Sequence, residues 1–188
     1  MSELLTAQQF AARRPDLPDD GRWAELVEGR VVSYDPPDSK QGTVVLNLSK
    51  ALSDYLQTTQ VAGYACFDLG LIVGQDPDTV RFPALSFFAS GSRFGHSDVV
   101  VTPDVPDLVV EVPCDPRRRA NTSRRVDEYM AAGARLVWVV DPFTLDVLQV
   151  RHEGSAHVRG EDRLTGDPVL LGFELNVSRL FAEPDWWR

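Results

Sequence analysis

The chain has little lysine and cysteine, and it has no long apolar run. Lys40 and Lys50 are the two lysines among 19 basic residues, so a mechanism that needs a lysine has two candidates. Cys66 and Cys114 have neither CxxC nor zinc-ligand spacing, which favours free thiols in a reducing compartment. No apolar run approaches the roughly 20 residues of a membrane span, and the N-terminus lacks the apolar core of a signal peptide. We therefore expect a cytoplasmic protein that does not cross or bind a membrane.

Basic residues are also outnumbered, and the formal net charge is -9. An acidic surface repels phosphate and disfavours non-specific nucleic-acid binding, although a local basic patch is still compatible with it. The 188 residues are 43% apolar and 25% charged, as in ordinary globular proteins. These values exclude collagen-like, coiled-coil and wholly disordered chains. They predict a single domain over residues 1–188, with its core in about 20–182.

Apolar periodicity predicts a domain of mixed α and β structure. Three-to-four apolar spacing predicts a helix over residues 43–58, and capping and terminating residues predict helices over residues 7–14 and 121–132. Apolar runs predict strands in seven segments. They are residues 25–33 around a turn, 66–73, 80–82, 85–89, 108–112, 136–140 and 145–150. The strands at 108–112 and 136–140 enclose one helix and are apolar nearly throughout, as buried strands are. The predicted fold class is therefore α/β, or α+β mixed, with a central sheet flanked by helices.

Glu111 is a charged residue inside the otherwise apolar run LVVEV, where an apolar residue would be expected. A buried carboxylate is costly unless it is paired, protonated or bound to a metal. Five arginines follow closely and offer an ion pair. They are Arg117, Arg118, Arg119, Arg124 and Arg125. The residues alone leave open whether Glu111 marks such a structural pair or a functional site, since both perturb carboxylates. They also leave open whether the arginines bind phosphates or form a solvated surface.

Asp107 is not a plausible metal partner for Glu111. Four residues of one strand separate them by roughly 13 Å, whereas direct magnesium ligation needs oxygens at about 2.1 Å. A partner must come from another strand, and Asp107 is interpreted as a strand-start or turn residue. The three histidines show no metal spacing, and we expect them to face solvent. Trp186 and Trp187 are predicted to pack on the core, a sheet edge or a partner subunit.

Six segments, in this order and spacing, resemble the Uma family of restriction-endonuclease-like proteins, within the PD-(D/E)XK nuclease superfamily. They are residues 25–31 (ELVEGRV), Pro37 with the helix after it, 81–88 (RFPALSFF), 106–112 (PDLVVEV), 125–134 (RVDEYMAAGA) and 137–142 (VWVVDP). Together they span about residues 20–180. The resemblance implies a mixed central sheet with a metal site on it and metal-dependent hydrolysis of DNA phosphodiesters. Mg²⁺ or Mn²⁺ would polarise the phosphate and lower the pKa of water.

The resemblance places the family's site residues on this chain only in part. It implies that Glu111 is the metal-binding glutamate and that Glu25 helps to build the site. The family's aspartate falls on Ala84, which has no oxygen ligand, and its lysine falls on Arg125. Arg125 would occupy the lysine's place, either clamping a phosphate or neutralising Glu111. Around it, the nucleic-acid-binding candidates are Arg117, Arg118, Arg119 and Arg124.

Three hypotheses follow. The first is an endonuclease-fold protein whose site is degenerate, with Glu111, Glu25 and Arg125 as its remaining members and with weak or lost activity on DNA. The second is a non-catalytic binding or scaffold protein, expected to be a homodimer, that uses the inherited cleft. The third is an active nuclease with a rearranged metal site, in which Asp68 or Asp98 would lie beside Glu111.

Overall fold

The computed structural model describes residues 4–184, apart from the side chains of residues 93 and 94. Trp186 and Trp187, for which packing was predicted, lie outside the described residues. The helices are α1 (Ala7–Arg13), α2 (Ser39–Thr59), α3 (Arg93–Ser97), α4 (Pro116–Ala120) and α5 (Thr122–Ala132). Short 3₁₀ turns cover Arg14–Asp16, Pro18–Gly21 and Val177–Leu180.

Thirteen strands form among the described residues. In chain order they are β1 (Ala24–Val27), β2 (Arg30–Ser33), β3 (Tyr64–Cys66), β4 (Gly70–Gly74), β5 (Thr79–Arg81), β6 (Leu85–Phe88), β7 (Val101–Thr102), β8 (Leu108–Glu111), β9 (Leu136–Asp141), β10 (Asp146–Arg151), β11 (Gly154–Arg159), β12 (Arg163–Thr165) and β13 (Glu174–Asn176). One sheet has the order β2-β1-β5-β4-β7, a second has β11-β10-β9-β8-β6-β3, and β12 pairs with β13. The β4–β7 and β8–β9 pairs are parallel and the others antiparallel. The predicted mixed fold is confirmed.

The six-stranded sheet is covered on both faces. On one face, Val44, Leu48 and Leu52 of α2 belong to the same apolar cluster as Leu108 and Trp138. On the other face, Val126 and Tyr129 of α5 cluster with Val109, Val137 and Val139. Burial on both sides explains why β8 and β9 read as continuous apolar runs. It also means that Glu111, at the end of β8, enters a region without free access to water.

Local sequence signals account for the ends of the helices. Thr6 caps α1, with its hydroxyl accepting from the Gln9 N–H and the Gln9 side chain accepting from the Thr6 N–H. Helix α2 begins at Ser39, earlier than predicted, because the Asp38 carboxylate caps it. Helix α5 ends at Gly133, whose positive φ of 114° is the left-handed conformation that glycine adopts easily.

Weakly patterned segments differ from the predictions. The predicted strand over residues 66–73 is two strands, β3 and β4, which belong to different sheets and are separated by a turn at Asp68 with a φ of 51°. The polar segment 90–106, for which no helix or strand was predicted, contains α3 and β7. Strand β11 was not predicted, because its residues are mostly exposed and lack apolar alternation. Among residues 4–184, no helix has both the length and the apolar character of a membrane span.

Candidate active site

The two sheets and helix α5 bring Glu25, Glu111 and Arg125 together. Glu25 lies on β1 of the five-stranded sheet, and Glu111 ends β8 of the six-stranded sheet. Arg125 lies on α5 and donates to both carboxylates. Its Nη1 and Nη2 atoms are 2.6 and 2.9 Å from the Glu25 oxygens, and Nη2 is 2.6 Å from Glu111 Oε1. All three side chains are at most 2% exposed. The ion pair with a following arginine, one of the two alternatives left open for Glu111, is present, and Arg125 is the partner.

Glu25 is held by more donors than a carboxylate usually has. Besides the two bonds from Arg125, it accepts from Arg81 at 3.1 Å, Arg118 at 3.2 Å and the backbone N–H of Phe82 at 3.0 Å. Burial by itself would raise the pKa of Glu25. The charges of Arg125, Arg118 and Arg81 outweigh this effect and lower that pKa to about 2. Glu25 is therefore an anion whose charge is fully committed to arginines.

Glu111 has a different environment, with one oxygen bound and one free. Oε1 accepts from Arg125 and from the hydroxyl of Tyr129. Oε2 is buried and has no hydrogen-bond partner among the described residues. Burial raises the pKa of Tyr129 well above its usual range, so the hydroxyl remains a donor at neutral pH. Arg125 and Tyr129 are four residues apart on α5 and therefore project from one face of the helix.

The ion pairs extend outward along α5. Glu128 accepts from Arg81 at 2.7 and 3.0 Å and from Arg124 at 2.9 Å. Arg124 also donates to Glu28 at 2.7 Å. We call this set the arginine–glutamate network. Its members are Glu25, Glu28, Arg81, Glu111, Arg118, Arg124, Arg125 and Glu128. Four arginines face four glutamates, so the network carries no net charge, although the chain as a whole is strongly acidic.

Ala84 lies beside Glu111, where the resemblance implied an aspartate. Leu85 pairs with Val110 in the antiparallel β6–β8 ladder, so residue 84, before Leu85, comes next to residue 111, after Val110. A methyl group there offers no oxygen to a cation.

The alternative acids do not hydrogen-bond Glu111, whose partners are Arg125 and Tyr129. Asp68 pairs with Arg14 at 2.7 Å and lines two cavities, one of which Asp98 also lines. No group of three or more Asp, Glu, His or Cys residues in the described part of the chain is arranged to hold a metal ion.

The arginines proposed for nucleic-acid binding differ in their exposure and in their partners. Arg117 is the most open, with 60% of its side chain exposed and a bond to the Ser33 carbonyl. Arg119 pairs with Asp141, and Arg124 belongs to the network. Arg118 turns inward to Glu25 and is 13% exposed.

A cleft of about 320 Å³ lies next to the network, and Arg118 lines its wall. We call it the Arg118 cleft. Its apolar lining includes Trp23, Phe67, Phe82 and Ala84. The cleft is linked to the network through Arg118, which lines its wall and bonds Glu25.

Sequence reasoning missed Arg81, Glu128 and Tyr129 as members of the site. Tyr129 could have been found, since it lies one helical turn after Arg125 and on the same face. Arg81 could have been suspected as a charged residue beside the apolar Phe82. The solvent-facing prediction was wrong for His96, whose side chain is 8% exposed and bonds Tyr64 and Asp104.

Comparison with known proteins places this geometry in context. The model of the Uma2 family, described as "Putative restriction endonuclease", matches residues 7–178. A solved structure from Anabaena variabilis ATCC 29413, described as "a putative nuclease belonging to DUF820", has a TM-score of 0.74 and 18% identity. The alignment covers 94% of this chain and 97% of that chain. No curated protein matches the sequence. At 18% identity the structural likeness shows a shared fold.

Proposed function

The chain belongs to the Uma2 family of restriction-endonuclease-like proteins, and from that premise we propose that it is a nuclease-fold protein whose own cleavage of DNA is weak or lost. The observation that carries this proposal is the position of Arg125, within 2.9 Å of Glu25 and 2.6 Å of Glu111. A guanidinium group supplies the positive charge between the two carboxylates. The nuclease fold is retained, and the positive charge of the Arg125 side chain compensates the charges of the two buried carboxylates.

The side chains present do not fit a magnesium ion. Mg²⁺ prefers six oxygen ligands at about 2.1 Å, and Ala84 supplies none. Glu111 Oε2 is buried and has no hydrogen-bond partner among the described residues, and the Arg125 charge bound to the other oxygen opposes a second cation. We therefore propose no reaction step through a metal. Arg125 cannot act as a base either, because Glu111, Tyr129 and Glu25 outweigh burial and raise its pKa well above the usual range.

The proposal also sets an expectation for DNA. Phosphate contacts depend on free positive charge, and Arg117, with 60% of its side chain exposed, is the most open of the four candidate arginines. Arg118, Arg119 and Arg124 are already paired with carboxylates. We expect any binding of duplex DNA to be weak and to disappear as salt is raised to physiological concentration.

Nicking of supercoiled plasmid tests the proposal. Purified protein is incubated with Mg²⁺ or Mn²⁺, with the wild type beside Glu111→Ala and the double variant Ala84→Asp/Arg125→Lys. We expect the wild type to remain at the background level of Glu111→Ala. The double variant restores the family's carboxylate and lysine, and we expect nicking that depends on added metal.

A triple variant that adds Glu111→Ala to the double variant is the control for contaminating nuclease. Wild-type cleavage that disappears in Glu111→Ala would contradict the proposal. It would instead support an active nuclease with a ligand from elsewhere in the chain.

A second candidate function is non-catalytic binding by a homodimer, and the Arg118 cleft is the feature that favours binding. Light scattering tests the homodimer separately, with a monomer at all accessible concentrations as the result against it.

A further inference from the structure

The Arg118 cleft has the composition of a small-molecule site. Such sites are concave, mainly apolar and of about 300–1,000 Å³, with a few convergent polar groups. This cleft is about 320 Å³. Phe67, at the turn between β3 and β4, lines it with 49% of its surface exposed. Trp23 and Phe82 add two further aromatic rings. Aromatic rings of this kind stack with other flat rings.

The acidic groups of the cleft are largely compensated. Asp68 pairs with Arg14 at 2.7 Å. Asp115 is 4% exposed, and its carboxylate accepts from the backbone N–H groups of residues 35, 117 and 118. Asp35 and Arg22, both exposed, contribute one charge of each sign to the lining.

The thiol of Cys114 adds no charge to the cleft. Burial and the nearby Asp38 carboxylate raise its pKa to about 12, so it is neutral in solution at ordinary pH.

Arg118 is the inner cation of the cleft, and its hydrogen bonds are incomplete. It bonds Glu25 at 3.2 Å and the Phe82 carbonyl at 3.5 Å, which uses two of the five N–H donors of a guanidinium group. Its other donors have no hydrogen-bond partner among the described residues, and the guanidinium carbon lies 4.8 Å from the centre of the Tyr34 ring. Glu25 is meanwhile shared with Arg81 and Arg125, so it does not neutralise Arg118 alone. A wall with spare guanidinium N–H donors is complementary to an oxyanion.

We propose that the Arg118 cleft binds a small ligand that carries an oxyanion group on a flat ring. Arg118 holds the oxyanion, and Phe67 and Trp23 contact the ring. The inference rests on the proposed function in one respect, since Ala84 leaves the cleft without the negative charge that an aspartate would add. A free nucleotide and an aromatic carboxylic acid share this chemistry. Neither requires a metal for binding.

Isothermal titration in the presence of EDTA tests the inference. The probes are adenosine 5′-monophosphate, 2-naphthoate and neutral adenosine, and the first two distinguish the two sources of the oxyanion. We expect saturable binding of at least one anionic probe, and adenosine should bind at least about tenfold more weakly because it cannot engage Arg118.

Three variants and one control locate the site. Phe67→Ala and Arg118→Gln should each weaken the anionic probe about tenfold, and Ala84→Asp should weaken it by placing a carboxylate in the cleft. Phe143→Ala is the matched control, because Phe143 is 46% exposed, close to the 49% of Phe67, and does not line the cleft. If Arg118→Gln does not fold, Phe67→Ala still decides the outcome.

The inference is overturned if neither anion binds saturably at millimolar concentration, if adenosine binds as well as its monophosphate, or if Phe67→Ala binds like wild type. Binding of duplex DNA alone would overturn it too. Because the titration contains EDTA, its result is independent of the nicking assay. Metal-dependent cleavage of plasmid by the wild type would refute the proposed function, whereas the ligand titration would still give a valid result.

Discussion

Replacement of Arg125 by methionine should destabilise the protein severely. Arg125 makes three charge-assisted bonds to the two carboxylates, and its side chain is 1% exposed. After the change, Glu25 retains Arg81, Arg118 and a backbone N–H, whereas Glu111 retains the Tyr129 hydroxyl. Removal of one partner of a buried pair typically costs about 3–5 kcal/mol. In a domain of this size that corresponds to a fall in Tm of roughly 6–20 °C.

The reasoning is tested most directly by a double-mutant cycle. In Glu111→Gln the side chain keeps its shape, and its carbonyl still accepts from Tyr129, but the charge that needs Arg125 is gone. The double variant should therefore be more stable than the sum of the single effects allows, with a coupling of about 1–3 kcal/mol. Urea unfolding followed by circular dichroism measures all four proteins. Arg163→Met is the matched control, because Arg163 pairs with Glu174 at 3.1 Å with both side chains more than half exposed.

Two results would refute this account of the network. One is an Arg125→Met protein within about 1 kcal/mol of wild type, which would mean that the buried carboxylates do not depend on the guanidinium. The other is additivity in the cycle, which would mean that Arg125 and Glu111 stabilise the fold separately. Either result would also weaken the proposed function, because this account of the network and the proposed function both rest on the contact between Arg125 and Glu111.

Three further predictions concern acid stability, the Tyr129 hydroxyl and the N-terminal cap. Because the pKa of Glu25 falls from 4.5 in the unfolded chain to about 2 in the folded protein, its contribution of about 3 kcal/mol is present above pH 4.5 and is lost as the pH falls towards 2. Glu25→Gln should therefore flatten the acid limb of a stability–pH curve, and an unchanged slope would contradict the assignment. Tyr129→Phe should cost about 1.5–3 kcal/mol in urea unfolding, since Glu111 loses a donor. Thr6→Ala should cost about 1 kcal/mol through loss of the capping box with Gln9, and no change in Tm would count against it.

The elements that the sequence predicted correctly are those whose pattern is local. Helices α2 and α5 have apolar residues at three-to-four spacing, and β8 and β9 are continuous apolar runs between turn residues. Helix α3 and strands β7 and β11 were missed, because they are short or exposed and leave no apolar period. Their conformation depends on neighbours that are distant in sequence.

The network was only partly predictable for the same physical reason. Glu111 stood out, because a carboxylate in an apolar run needs a partner. Five arginines were available, and only the face of α5 selects Arg125. Glu25 was singled out by resemblance alone, and its donors lie 56, 93 and 100 residues away in the chain. No periodic pattern reports contacts at that separation.

Charge links positions 84 and 125 in the proposed function. A restriction-endonuclease-like fold brings carboxylates from separate strands to one point, and buried carboxylates need a counter-charge. With an aspartate at position 84, three acids would meet there, and a single guanidinium would leave negative charge uncompensated. With Ala84, two acids remain at this point, and the planar fork of Arg125 reaches both, as its contacts with Glu25 and Glu111 show. A lysine has one point charge and lacks that fork. An alanine at position 84 and an arginine at position 125 are therefore consistent with each other in a site whose charge is balanced without a metal ion.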